Sequence, residues 1–270
     1  MVDRNFISIA QLTDLHLFAE RDRQLVGIPT MASFESVLQQ VQQKLLHLDL
    51  CLLTGDLSQD CSADSYTYLR QTLDSLAVPT YCVAGNHDDL ELMASHLPSS
   101  HVHLSRSLNV GNWCMILLSS VISGEVHGSL AESELTFLEE TLQVNPDRPT
   151  LIAFHHPAIS LGSHWIDRLG LENKDRFWAI CDRYPQIKAV VNGHAHQDFD
   201  SVRITDYGLV RCLITPSTCV QFASHTPQFK IDSQPAGFRH IRLYADGSLE
   251  TEVHRLEADK FLPELSAQGY

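Results

Sequence analysis

Short apolar runs and amphipathic stretches take turns along the first hundred residues. Phe6 to Leu12 reads as a strand, apolar positions 34, 37, 38, 41, 45 and 48 give Ser33 to Leu48 a helical period, and Leu50 to Thr54 is a second strand. Ala63 to Leu76 follows as a helix and Val78 to Ala84 as a strand, completing a βαβαβ pattern. Residues 102 to 121 read as antiparallel strands turning at Asn109-Val-Gly-Asn112. A capping box at Ser129 and Glu132 predicts a helix that runs out before Asn145-Pro146. Thr150 to Phe154 and Ile187 to Val191 are strands, with a helix over Lys174 to Arg183 between them. Beyond residue 198 the pattern is hairpins, with turns near Asp206-Tyr-Gly208 and Asp246-Gly247. We expect residues 199–270 to complete a second sheet packed on the first. The predicted fold is a four-layer α/β/β/α sandwich of two mixed sheets flanked by helices, in a single domain over 1–270, because no Pro/Gly/Ser-rich linker breaks the chain.

Five polar blocks stand directly after apolar runs: Asp14-Leu-His16, Gly55-Asp56, Gly85-Asn86-His87, His155-His156 and Gly193-His194-Ala195-His196. Strand ends are where α/β sheets place their sites. A single H-x-H or D-x-H is ordinarily a surface or satisfied core feature, but packing gives no reason for this many Asp, Asn and His side chains at buried strand ends. Together they supply nearly a full ligand set for two metal ions, and paired divalent ions chiefly clamp the attacking and departing oxygens of a displacement, most often at phosphorus.

Composition narrows the classes. The chain has 270 residues, 44% of them apolar, and a net charge of −14, which argues against nucleic acid or an anionic membrane as a partner. A phosphate substrate is compatible, since two divalent ions against the carboxylates of Asp14 and Asp56 leave the cluster with about two positive charges. Seven cysteines without CxxC spacing, mostly inside apolar runs, read as buried free thiols of a reducing compartment. The N-terminus shows no apolar leader and no run is long enough to span a bilayer, so a soluble, cytoplasmic protein is expected.

These blocks, in this order, resemble the calcineurin-like metallophosphoesterases, whose pattern is D-x-H, G-D, G-N-H, H and G-H-x-H. Thr54 to Asp60, Thr215 to Phe222, Thr251 to Arg255 and the terminal Gly269-Tyr270 further resemble the bacterial class III 3′,5′-cyclic AMP phosphodiesterases. The resemblance implies Asp14, His16 and His196 on one metal, Asn86, His155 and His194 on the other, and Asp56 between them. His155 is favoured over His156 as ligand, with the reverse left open. It implies a substrate site made by His16, Asp56, Asn86, His87 and His196, with His87 the catalytic residue that contacts the phosphate and protonates the leaving oxygen. The implied reaction is hydrolysis of 3′,5′-cyclic AMP to 5′-AMP by a metal-bridging hydroxide, lowering cellular cyclic AMP; broader specificity, including 2′,3′-cyclic nucleotides, and a non-catalytic binding protein are the alternatives. The donor set suits Fe or Mn, then Zn or Co, over Ca or Mg. The chain is expected to act as monomer or homodimer.

One departure stands out: the third residue after the bridging Asp, an acid in many relatives, is Gln59, and Asp60 comes fourth, where it reads as an N-cap-like residue for the helix near Ala63. His47, His101 and His103 read as surface groups and Glu132 to Glu140 as a solvated helix face. Trp165, beside His164, either offers a face to a base or packs.

Overall fold

The computed structural model describes residues 5–269, so Met1–Arg4 and Tyr270, with the expectations resting on them, lie outside the described residues. The first sheet gathers β1 (Phe6–Leu12), β2 (Leu50–Thr54), β3 (Thr80–Val83) and β4 (Val102–His103) in parallel. The second gathers β5 (Ser107–Val110), β6 (Trp113–Leu117), β7 (Thr150–Ala153), β8 (Ile187–Asn192), β9 (Phe199–Thr205) and β10 (Gly208–Ile214). The chain then returns to the first sheet as β11 (Gly237–Tyr244) and β12 (Leu249–Arg255), giving the orders β12-β11-β1-β2-β3-β4 and β9-β10-β8-β7-β6-β5.

Two expectations change here. The stretch 102–121 is divided between the sheets, β4 closing the first and the β5–β6 hairpin opening the second. The late hairpins are divided as well: β9–β10 complete the second sheet, whereas β11–β12 join the first through antiparallel pairing of β11 with β1. Period-2 patterning shows that a segment is a strand but not which sheet it enters.

Strand alternation builds three apolar layers. Ile9, Leu50, Leu52 and Val83 of the first sheet meet Met115, Leu151, Ala153, Ala189 and Val191 of the second in the middle. Ala10, Leu12, Cys51 and Leu53 face outward onto α1 (Thr30–Lys44), α2 (Ala63–Leu76) and α3 (Leu90–His96). Ile116, Ile152 and Val190 face α4 (Glu132–Val144) and α6 (Lys174–Cys181) on the other side, and α5 (His164–Asp167) lies between those two helices in sequence. Burial on both faces explains why β2 reads as a continuous apolar run, Leu50 to Leu53. Six of the seven cysteines are buried, Cys61 being the exposed one.

The capping box does not form. The first turn of α4 begins after Ala131 with no side-chain cap, because Glu132 is drawn to Arg176 (2.8 Å) and Ser129 N–H donates to Ser120 O. No helix among the described residues is long and apolar enough to cross a membrane.

Candidate metal centre

All five polar blocks leave the carboxyl ends of strands and converge. β1 delivers Asp14 and His16, β2 Asp56, and β3 Asn86 and His87; β7 of the second sheet delivers His155 and His156, and β8 His194 and His196. Donor atoms of Asp14, His16 and His196, of His16, Asp56 and His87, of Asp14, Asp56 and His155, and of His155, His156 and His194 lie within 4.8 Å of one another in each group.

The spacing of two predicts side chains leaning to one face of an extended segment, and the structure reaches the same convergence by another route. Asp14 (φ 53°), His16 (φ 50°), Asp56 (φ 51°), His194 (φ 68°) and His196 (φ 49°) are all left-handed. That conformation costs an L-residue about 1–2 kcal/mol, and Asp and His are among the types that visit it most. Leu15 and Ala195, between the paired polar residues, are fully buried and anchor each turn. The motif glycines answer to close approach: a Cβ on Gly85 would strike the Asp56 carboxylate, and one on Gly193 the Thr13 hydroxyl and Asp14.

Hydrogen bonds on the far side of each ring fix its tautomer. His155 Nδ1 donates to Thr54 O (2.8 Å) and His196 Nδ1 to Val220 O (2.7 Å), while His16 Nδ1 meets Gln59 Oε1 (2.6 Å). The opposite nitrogens of His16 and His196 therefore turn lone pairs inward: His16 Nε2 lies 3.1 Å from His196 Nε2 and His196 Nε2 3.3 Å from Asp14 Oδ1, while His155 Nε2 lies 3.2 Å from Asp56 Oδ2. Acceptor facing acceptor at such distances is repulsive unless a cation sits among them. Asn86 Oδ1 adds a buried acceptor with no hydrogen-bond partner among the described residues. The donor set thus fits metal ions, and its imidazoles suit Fe, Mn, Zn or Co over Ca or Mg.

Protonation follows the same field. Burial pushes His16 and His156 down to about 3 and His194 well below its usual value, holding neutral rings of the kind metals require. At His155 burial is outweighed by the charge and hydrogen bond of Asp56, which raise it to about 9. Asp56 itself, despite burial, is held well below the carboxylate range by His155.

His156 is engaged differently from its neighbour. Its Nδ1 is 2.7 Å from Ser120 Oγ and its Nε2 donates to Val126 O (3.1 Å), so both nitrogens are used in holding the 120–128 loop. His87, partly buried, has its backbone N–H on Asp56 Oδ1 (2.9 Å) and its ring edge-on to His16 at 5.1 Å.

Several residues act where the sequence offered other readings or none. Gln59 orients His16. Asp60 is not an N-cap: Ser62 caps α2, and the Asp60 carboxylate accepts from Ala19 N–H and Ser62 N–H, tying the first block's loop to the second's. Asp88, next to the G-N-H block, accepts from Leu57, Ser58 and Gly85 N–H and from Tyr66 Oη–H, clamping two site loops together, and burial beside Asp56 raises it to about 6. The 215–222 segment closes beneath the cluster, where Ser217 Oγ donates to Asp14 O (2.7 Å) and Phe222 stacks on His196 at 4.1 Å. Trp165 packs edge-on against Phe222 and Phe229 with its indole N–H on Thr226, so it serves packing.

Comparison with known proteins places this geometry. Residues 7–198 match the Calcineurin-like phosphoesterase family. A 3′,5′-cyclic-nucleotide phosphodiesterase from Nostoc sp. is 43% identical over 250 residues, 93% of this chain and 92% of that protein. The 3′,5′-cyclic adenosine monophosphate phosphodiesterase CpdA of Vibrio vulnificus is 37% identical over 270 residues, covering 100% of this chain and 97% of its own. Among solved structures, a dimetal phosphatase from Danio rerio shares the fold with a TM-score of 0.62 at 13% identity, covering 93% of this chain and 99% of that one.

Proposed function

Since this chain belongs to the calcineurin-like phosphoesterase family, we propose that it hydrolyses 3′,5′-cyclic AMP to 5′-AMP in the cytoplasm. The observation that carries the reading is the inward ring of acceptors from two sheets, with Asp56 Oδ2 3.2 Å from His155 and 3.9 Å from His16. In this reading Asp14, His16 and His196 hold one ion, Asn86, His155 and His194 the other, and Asp56 both. Two such ions, Fe, Mn, Zn or Co by the donor set, would supply positive charge for a phosphodiester and would acidify water for attack at phosphorus.

The chain's own groups do the rest. The fixed tautomers of His16, His155 and His196 keep the donor geometry in place before substrate arrives, so little reorganisation accompanies the reaction. His16, Asp56, Asn86, His87 and His196 border the phosphate. As the bond from phosphorus to O3′ breaks, His87 gives its proton to that oxygen, a poor leaving group as the bare alkoxide. Asp56 holds the His87 backbone, so the acid and the metal cluster share one anchor.

Side-by-side rates on cyclic AMP, a bis-aryl phosphate and a mono-aryl phosphate, with metal quantified in the same sample, test the reading. Cyclic AMP turnover at about two ions per chain is expected; release of inorganic phosphate from 5′-AMP at a comparable rate would sink it. His87→Ala is expected to lower kcat on cyclic AMP about 10²–10⁴-fold with metal content unchanged.

A further inference from the structure

The candidate centre accounts for the phosphate of a nucleotide, and the base must lie beyond it. Phe222 is buried against His196, and Trp165 is partly buried and packed edge-on against Phe222 and Phe229, so these aromatics are engaged with one another. On the other side a cleft of ≈ 490 Å³ opens directly from Asn86, between the 88–91 segment and the 121–124 loop. Leu90 forms one wall with half its surface exposed, and Val121 and Ile122 form the other, both partly buried. Leu90 also lines a smaller neighbouring slot formed with Met93, Leu104 and Leu117.

Resting on the activity proposed above, we infer that this cleft is the subsite for the nucleobase, which lies flat along Leu90 and is covered by Val121 and Ile122. Four observations converge. The cleft is lined by Asn86, the neighbour of His87, so it adjoins the site proposed for the phosphate. Its two apolar walls leave a large leucine half in solvent at the mouth of a polar site, surface that a planar aromatic ring covers well. The 121–124 wall is held from below: His156 grips the same loop at Ser120 and Val126, so the wall is fixed by the residue adjoining His155. Exposed Glu91 places a carboxylate acceptor in the lining, suited to an exocyclic amino group. The ligand class is therefore an amino-bearing nucleobase on a cyclic phosphate.

The test compares cyclic AMP with the same 3′,5′-cyclic phosphate carrying methoxyl in place of the base. In the holoenzyme, Leu90→Ala is expected to lower the ratio of kcat/KM on cyclic AMP to that on the baseless ester about tenfold, the scale of a lost apolar contact. Ser123→Trp, an exposed substitution that fills the cleft, is expected to lower it at least as far. A ratio within twofold of the unsubstituted chain in both variants overturns the subsite while leaving the activity intact. Turnover of the baseless ester with none of cyclic AMP in the unsubstituted chain overturns the activity reading, and the subsite with it.

Discussion

The two sheets contribute to the centre in unlike ways. From the first come both carboxylates, the amide and His87, with one ligand imidazole, His16; from the second come imidazoles alone, His155, His194 and His196. Their anchoring differs too. His155 and His196 donate to backbone carbonyls, Thr54 O and Val220 O, whereas His16 rests on a side chain, Gln59. Two bonds cross the interface: Thr54 belongs to the first sheet and holds the second sheet's His155, and the His194 N–H donates to Asp14 (3.1 Å). Both carboxylates lie in one layer and the other brings imidazoles alone, so the centre exists only when the layers are docked.

That division can be broken most severely at Asp56, whose carboxylate faces imidazoles of both sheets. Asp56→Ala should lower kcat/KM by about three orders of magnitude or more, with bound metal falling below two per chain by elemental analysis. Two ions retained with activity within tenfold would show that the sheets do not depend on this shared group. Gln59 sharpens the contrast between side-chain and backbone anchoring. Gln59→Leu should weaken metal binding about 10–100-fold by titration calorimetry, without lowering the melting temperature of the metal-free protein as a core lesion would. The smallest effect belongs to His240 on β11, bonded to Ser8 Oγ (2.9 Å) near the start of β1, remote from the ligands. Burial, then the charges of Arg242 and His254, push it down to about 4 from 6.5. Its folded value lies below the unfolded one, so its contribution to stability is full above about pH 6.5 and lost as pH falls through about 4. His240→Asn should flatten the fall of Tm across that window and leave neutral-pH turnover within twofold.

Much of this was legible in the chain itself. Apolar runs buried on both faces made the parallel strands plain, and the blocks at their ends marked residues that converge because chemistry, not packing, calls for such residues there. Sheet membership was not legible: β11 and β12 alternate like the second sheet's hairpin, and only pairing with β1 across more than two hundred residues assigns them. Nor were the partners legible, since Thr54 and Val220 act through carbonyl oxygens that every residue possesses. Gln59 was visible as a departure, but its bond to His16 needed the left-handed turn that brings the first loop beside the second. Asp88 was in view beside the G-N-H block, yet its clamp on Leu57, Ser58 and Gly85 is made entirely with backbone groups.

The left-handed backbone at Asp14, His16, Asp56, His194 and His196 has a consequence for how such a chain changes over generations. Glycine relieves that conformation at no steric expense, so at these five positions the substitution most favourable to the fold is one that deletes a donor. Selection for catalysis and drift toward stability therefore pull against each other at the same codons. A lineage released from the reaction should accumulate glycine there first, leaving the sandwich sturdier and silent.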